Sequence, residues 1–461
     1  MGADHARHRL VVFLVSGLTS HIFGSLGVAR RLRASGLEVE FWGESPAMRV
    51  VQRQGFVFHT LEGVRYCYDR VLFDSWRGLL RNPKTAFQVL RHLRKRRGTL
   101  WNDLLSFEQS LDRQLARAAP VAAMIDPLLA LYYPILKARG VRCVLLQDKP
   151  LPCADPLVPP PTSGWVPRPR ARINHLCIAT QWGLEALKRR LRHLRSGGAE
   201  LLRLYTPDRL VRAVLQRASP SIGSLACRRV GYDLHFADLE EWVLGAPEID
   251  FARARPLPER VRYIGPCVDL QRVEPEAPIG RGSADPLIYV SMGTSMPSWN
   301  AHIDLLRRII RAFGGLPGVQ LVVSAGSAKA RAELRNNFSN VHVSALLPQL
   351  KLLQVADLAI IHAGANALRE CIFTDTPMLA FPREYDQRGN AARIVHHGLG
   401  LRGRRNDTVG EIRSKALRIL HEPRFAQRIR ECHAAAARAE AMLFASAVRT
   451  LVDGTEPRQA A

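Results

Sequence analysis

The chain has 461 residues and eight cysteines, at 67, 143, 153, 177, 227, 267, 371 and 432, yet no C-x-x-C pair. Cysteines spaced this widely neither frame a zinc site nor staple a small secreted domain. They read as reduced thiols of a cytoplasmic protein. No apolar run reaches the roughly 18 residues that a membrane-spanning helix needs. No repeat of 20–50 residues and no low-complexity tract is present, which argues against a solenoid and against a disordered scaffold. Negative charge is scarce: 41 Asp and Glu stand against 66 Lys and Arg, a net charge of +25. That balance fits nucleic acid, a membrane surface or an anionic ligand, and an Arg-rich coding bias produces it as well. The basic residues are scattered along helices, with no zinc-finger spacing, RNA-binding aromatic motif or helix-turn-helix signature. A nucleic-acid partner is therefore not expected.

The start, "HARHRLVVFLVSGL", imitates a signal peptide, but no A-x-A cleavage site comes after it. The next residues carry an amphipathic helix pattern instead, so residues 10–17 read as a first β-strand. Residues 24–35 then form a helix closed by Gly36, and 37–42 alternate as the next strand. Residues 121–125 and 141–146 are further strands, separated by a helix through 131–139. Strands alternating with helices predict a parallel sheet covered on both faces.

A proline-rich stretch at 150–170 reads as a functional loop. Residues 180–217 read as basic helix, and 261–266 as a late strand. Residues 267–285 shift to Pro, Gly and charge and read as a linker. The same grammar then restarts: strands at 287–291, 319–324 and 341–343, a helix from about 301, and a helix "NAARIVHHG" ending at Gly398. The organisation expected is a Rossmann-like domain over 1–266, a linker over 267–285, a second Rossmann-like domain over 286–432, and a terminal helix within 433–461, from about 434 to 452, returning to the first domain.

In open α/β sheets, ligands bind beyond the carboxyl ends of strands. Three such ends in the second half carry small or polar residues: "SMGTS", "HAGAN" and "REYDQ". The helix opening near Asn366 has unpaired first-turn amides and a positive dipole end, and Ala363, Gly364 and Ala365 let an anion approach. His362 and Thr294 offer hydrogen bonds to a phosphate. Glu370 suits a ribose diol, and Asp386 with Gln387 suits a sugar. On spacing alone each piece has an ordinary reading too: a strand-to-helix turn, a solvated Glu, an incidental Asp-Gln.

The segments "LPQLKLL", "HAGANALRE", "TDTPMLAFP" and "YDQRGNAARIVHHGLG" resemble, in order and spacing, the donor-binding signature of the family 1 UDP-glycosyltransferases over residues 341–400. "YVSMGT" resembles the strand-and-Thr segment that opens that family's second domain. The resemblance implies a GT-B fold, with two Rossmann-like parallel-sheet domains facing a cleft, and an inverting sugar transfer without metal or other cofactor. It implies diphosphate contacts from His362, Gly364, Asn366, Ala367 and Thr294. Ribose would fall to Glu370, the base region to Gln349, and the transferred sugar to Asp386 and Gln387. No D-x-D, a common metal-holding spacing in sugar transferases of the other major fold, occurs in the chain.

The first half resembles the family less closely. In "SGLTSHIFGSLGVARRL", His21 stands where the family places its catalytic base, though Ser20 replaces a usual Gly and Gly24 a usual Pro. A base of near-neutral pKa is what an acceptor hydroxyl requires. Asp126, at the end of its strand, matches the Asp that orients it, and Asp-Pro also makes a good helix N-cap. Leu346 departs from a frequent Trp, which leaves UDP and dTDP both open. Ala363 replaces the second Gly of His-Gly-Gly, and Ala367 a usual hydroxyl residue.

The acceptor expected is a hydrophobic small molecule or lipid. Residues 84–105, with Phe87, Leu90, Trp101, Leu104 and Leu105 among basic residues, read either as a helix packed on its own core or as a membrane-surface helix. Cytoplasmic placement is expected, with peripheral contact at the inner membrane face left open. Two other readings compete: a membrane-surface transferase of lipid-linked GlcNAc, whose glycine-rich N-terminal loop is missing here, and a nucleotide-sugar-binding protein without turnover.

Overall fold

The computed structural model describes residues 10–66, 83–167, 173–201, 206–222, 225, 227–230, 233–277, 285–293 and 299–453. The first half runs β1 (Leu10–Val15), α1 (Thr19–Ala34), β2 (Glu38–Gly43), α2 (Ser45–Arg53) and β3 (Val57–Thr60). It continues with α3 (Pro83–Gly98), α4 (Leu100–Arg117), β4 (Ala122–Ile125), a 3-10 turn at Pro127–Tyr132, α5 (Tyr133–Ala138) and β5 (Cys143–Gln147). Then come α6 (Ile173–Leu201), α7 (Pro207–Ile222), the antiparallel pair β6 (Cys227–Val230) and β7 (Asp233–Phe236), β8 (Glu240–Val243) and β9 (Val261–Tyr263). Seven of these strands make one sheet in the order β3-β2-β1-β4-β5-β8-β9, every pair parallel.

The run Leu10-Val-Val-Phe-Leu-Val is apolar at every position because β1 is central. Leu10, Val12 and Leu14 enter one core, while Val11, Phe13 and Val15 enter the other. A strand alternates its side chains between faces, so a strand covered on both faces loses its polar alternation.

The second half repeats the plan: β10 (Leu287–Ser291), α8 (Trp299–Phe313), β11 (Gln320–Ser324), α9 (Ala328–Glu333), β12 (Val341–Ser344), α10 (Gln349–Leu353) and β13 (Leu358–Ile361). The remaining elements are α11 (Ala365–Phe373), β14 (Met378–Ala380), α12 (Gln387–His396), β15 (Gly400–Arg402), α13 (Val409–His421) and α14 (Pro423–Asp453). Its six-stranded sheet has the order β12-β11-β10-β13-β14-β15, again parallel throughout. In both sheets the strand order reverses beside the first strand, between β1 and β4 and between β10 and β13. These are the two crevices where an open α/β sheet takes a ligand.

Several elements differ from the sequence reading. The helix expected from about 434 begins at Pro423, because proline suits a first helical position and no Gly or Pro interrupts 424–453. One helix therefore serves both domains: Ile429, Ala436 and Ala439 pack in a core of the second, and Phe444, Ala447 and Leu451 in the Val11–Phe13–Val15 core of the first. Its Glu440 also accepts a hydrogen bond from the Cys267 amide at 2.6 Å. The basic stretch at 180–217 is two helices, α6 and α7, and β8 is a strand that the sequence pattern does not mark. Residues 84–105 divide at Gly98–Thr99. From there α4 buries Leu100, Leu104, Phe107 and Leu111 in a core of the first domain, as the packed-helix reading expects of Leu104, while Trp101 and Leu105 are exposed. The side chains of Phe87 and Leu90 lie outside the described ones. Cys143, Cys153, Cys177, Cys227, Cys267, Cys371 and Cys432 are free thiols; Cys67 lies outside the described residues. Among the described residues no helix is long and apolar enough to cross a membrane.

The proline-rich stretch has no regular structure over 148–160, yet it is firmly seated. Asp155 accepts from the amides of Leu157, Ala254 and Arg255. Val158 packs with Phe251 and Ala392. The Gly389 amide, in α12 of the second domain, donates to the Pro161 carbonyl at 3.1 Å. A Cβ at 389 would lie 2.2 Å from that carbonyl oxygen. Gly389→Ala is therefore expected to push the loop off α12 and to cost about 1–3 kcal/mol, as overpacking does. Urea unfolding of the variant, with limited proteolysis at 150–167, checks this; unchanged stability and cleavage would mean the contact is slack.

Candidate active site

At the first crevice, the chain leaves β1 through Ser16-Gly17 and enters α1 at Thr19, five residues before the start read from sequence. His21 thus sits in the first turn of a helix rather than in a loop. Its Nδ1 lies 2.9 Å from Asp126 Oδ1 and 4.0 Å from Asp148 Oδ2, and its side chain is 12% exposed. Asp126 stands just past β4. Its Oδ1 also accepts from the Leu128 amide at 2.9 Å, and its Oδ2 from the Ser16 amide and hydroxyl, at 3.2 and 2.6 Å. The N-cap and the His-orienting arrangement are therefore one: the same carboxylate caps the 3-10 turn and holds the imidazole.

Burial alone would lower the His21 pKa. The carboxylates of Asp126 and then Asp148 more than offset this and raise it from 6.5 to about 9. That is well above the near-neutral value expected of the base. Burial pushes Asp126 upward, but His21 and the hydrogen bonds from Ser16 and Leu128 bring it down to about 2. With Nδ1 facing Asp126, Nε2 is the nitrogen left to exchange a proton.

At the second crevice, β13 ends on Ile361 and the chain turns through His362, Ala363 and Gly364 into α11. His362 is enclosed by glycine. A Cβ on Gly364 would stand 2.5 Å from its Nε2, and one on Gly293 would stand 2.7 Å from its ring. Burial lowers the His362 pKa to about 4, so the ring is neutral and carries one N–H donor. Ala363 holds φ +61, a left-handed conformation that costs a residue with a Cβ roughly 1–2 kcal/mol. Ala363→Gly removes that strain but adds unfolded-chain entropy, so a net stabilisation of up to about 1 kcal/mol is expected. Chemical denaturation checks it, and a destabilised variant would show that the Ala363 methyl, fully buried, matters more than the backbone.

Asn390, in α12, donates to the Ala363 carbonyl and to Asp386 Oδ2, both at 2.9 Å. It thereby joins the "HAGAN" turn to the "YDQ" turn. Burial raises the Asp386 pKa to about 6, with Lys149 opposing and Asp148 adding. Gln387 uses its side-chain oxygen to hold the amides of Arg383 and Glu384. Ala367 is buried in the first turn of α11. Thr294 lies outside the described residues.

Glu370 is not a solvated helix residue. It is buried, with Oε1 accepting from Arg272 Nη1 at 2.6 Å and Oε2 from Gln349 Nε2 at 2.7 Å. Arg272 belongs to the segment between the domains. It also pairs with Glu274, and its guanidinium lies 4.2 Å over the Phe23 ring of α1. Burial would lower its pKa, but Glu370 and Glu274 hold it charged. Leu346, near Gln349, is 66% exposed.

The two crevices meet. Asn366, in the first turn of α11, donates through Nδ2 to the carbonyl of Ser20, the neighbour of His21. Arg369 donates to Asn366 Oδ1 and to the Pro266 carbonyl, so a buried cation stands one turn into α11. Asp148, Arg369, Arg272 and Asn390 are site residues that the sequence reading does not single out. Asp148 comes just after β5 and obeys the strand-end rule, and Arg369 lies three residues after Asn366 on one helix face. Nothing local to Arg272 marks it. Among the described residues, no three His, Cys, Asp or Glu side chains converge as metal ligands.

Residues 311–443 match the Glycosyltransferase family 28 C-terminal domain. Across the whole chain, a solved kitacinnamycin glycosyltransferase superposes with TM-score 0.67 at 16% identity, covering 97% of this chain and 99% of that one. The fold is GT-B. The spinosyn rhamnosyltransferase, solved with thymidine diphosphate, superposes with TM-score 0.58 at 15% identity over 96% of this chain and 99% of that one. Among curated relatives, the oleandomycin glycosyltransferase of Streptomyces antibioticus is 37% identical over 154 residues, 33% of this chain and 35% of the relative. The zeaxanthin glucosyltransferase of Pantoea ananas is 30% identical over 187 residues, 40% and 42% respectively. The matches thus span about a third to two fifths of those relatives' length. On this GT-B frame His21 and Asp126 belong to the first domain, and His362, Gly364, Asn366, Ala367, Glu370, Asp386 and Gln387 to the second.

Proposed function

We propose that this protein is an inverting, metal-independent glycosyltransferase, moving a hexose from a UDP- or dTDP-sugar to a hydroxyl of a hydrophobic small-molecule or lipid acceptor. The observation that carries the proposal is the meeting of the two crevices: an Asp-held imidazole stands beside the open end of α11, with Asn366 bonded to the carbonyl next to that imidazole. His21 Nε2 removes the acceptor proton while Asp126 holds Nδ1 and stabilises the charged ring. The freed oxygen attacks the anomeric carbon as the C1–O bond to the diphosphate breaks. One displacement inverts the configuration. Charge on the departing diphosphate falls to the α11 amides, neutral His362 and Arg369. Glu370 and Gln349 serve the nucleoside side, and Asp386 and Gln387 the sugar.

The relatives named for oleandomycin and zeaxanthin support a natural-product acceptor, and the one solved with thymidine diphosphate keeps dTDP beside UDP. A screen of UDP- and dTDP-sugars against hydrophobic hydroxylated acceptors, read by mass spectrometry and by the product's anomeric configuration, tests the proposal. Donor binding by calorimetry without transfer or donor hydrolysis would favour a binding protein instead. A product that retains configuration would overturn the single displacement.

A further inference from the structure

The longest helix of the first domain, α6, keeps an apolar stripe in water. Ile173, Leu176, Leu184, Leu187, Leu191 and Leu194 are all exposed, Leu176 by 69% and Leu194 by 72%. At 100° per residue these six positions fall within an arc of about 80°, and at 1.5 Å per residue they extend over about 30 Å. The opposite face seats the helix: Ile178 is buried, and Trp182 Nε1 donates to the Val158 carbonyl of the proline-rich loop at 2.9 Å. The stripe is therefore not a core face waiting for its own domain. Isolated exposed apolar side chains are ordinary, whereas six in register on one helix make a contact surface.

The charge around the stripe selects the partner. Between 173 and 195 the sequence carries Lys188, Arg189, Arg190, Arg192 and Arg195 against a single acid, Glu185. Lys188 and Arg190 are exposed on either side of the leucines, and Glu185 is already engaged by Thr162 and Lys188. A second copy would bring two such basic helices together in a chain of net charge +25, which opposes pairing. An anionic bilayer answers both features: leucines enter the headgroup boundary while basic side chains meet lipid phosphates.

We propose that α6 docks this protein on an anionic lipid surface. The helix holds the loop that also contacts Gly389 of α12, so docking would bring the membrane beside the cleft without either domain crossing it. This goes beyond sugar transfer and does not depend on it.

The test is co-sedimentation of the full chain, without donor or acceptor, with vesicles of phosphatidylcholine alone and with about 30% phosphatidylglycerol. Wild type is expected to pellet with the anionic vesicles, to stay in solution with the neutral ones, and to be released by high salt. A Leu187→Gln/Leu191→Gln/Leu194→Gln variant changes only exposed positions. It should melt as wild type does and lose binding about tenfold or more. The proposal is overturned if wild type ignores anionic vesicles or if the variant binds them equally well. It is also overturned if sedimentation equilibrium shows a wild-type dimer that the variant dissolves while neither form binds lipid.

Discussion

Replacing His21 with alanine is expected to lower kcat/KM by about a thousandfold, within the usual range for loss of a general base, while nucleotide-sugar affinity persists. The pH profile makes the test sharper. With a pKa of about 9, His21 carries a proton at neutral pH in the empty cleft. A base must first be free of its proton, so kcat/KM should rise with pH until about 9. In Asp126→Asn the main partner that raises this pKa is gone while burial, which lowers it, remains. The acid limb should then move to lower pH, with a reduced plateau because the ring is no longer held by an anion. Asp148→Asn should move the limb the same way by less, since that carboxylate is 4.0 Å away rather than 2.9 Å. The same proton bears on stability. A pKa raised from 6.5 to about 9 adds stability that is complete below about 6.5 and lost as pH rises through 9. Melting curves of wild type should fall across that window, and those of His21→Ala should fall less. Full activity in His21→Ala, or an acid limb unmoved in Asp126→Asn, would sink the assignment.

The second large effect is expected at Glu370. Glu370→Ala removes a buried carboxylate from Arg272 and leaves that guanidinium with Glu274 alone. Breaking a buried pair from one side costs about 3–5 kcal/mol. Because Arg272 also lies over Phe23 of α1, the loss should loosen the contact between the domains as well. Urea unfolding should show the lower stability, and calorimetry at a temperature where the variant remains folded should show weaker donor binding. Arg272→Met separates the two roles. It removes the charge but keeps an apolar stem against Phe23, and it leaves Glu370 to Gln349. Its donor affinity should exceed that of Glu370→Ala. Equal affinity in all three proteins would remove Glu370 from the donor site.

Much of the fold is legible in the sequence because secondary structure obeys local pattern. The residues of β10 match their reading in full, and Gly36 and Gly398 do close their helices with positive φ. Local pattern fails where it competes with itself. It points to Gly24 as the α1 start because the apolar helical pattern is clearest from there; the N-cap is Leu18, which makes no cap hydrogen bond, and the first turn is met from outside by Asp126 on His21 and by Asn366 on the Ser20 carbonyl. The break inside 84–105 is hidden because a Gly-Thr pair between a basic stretch and an amphipathic one of mixed charge reads as part of one long helix.

The donor corner is legible for a related reason. "HAGANALRE" and "YDQRGN" each fit within a turn and a helix start, so their spacing in sequence is nearly their spacing in space. Glu370 is legible as a residue of interest but not in its state, since Arg272 lies 98 residues away. By itself the sequence determined the two parallel sheets, the small-residue turn at the start of α11, and the residue types able to serve phosphate, ribose and sugar. The His21–Asp126 pair, 105 residues apart, is matched by the family resemblance; only the tertiary structure decided its geometry, that Asn366 bonds the Ser20 carbonyl across 346 residues, and that Asp148 joins them. The reason is physical. Periodicity and capping depend on neighbours a few residues apart, whereas those contacts depend on the order in which strands join a sheet and on how two sheets share α14. Such choices are settled by burial summed over the whole chain and leave no mark in any single segment.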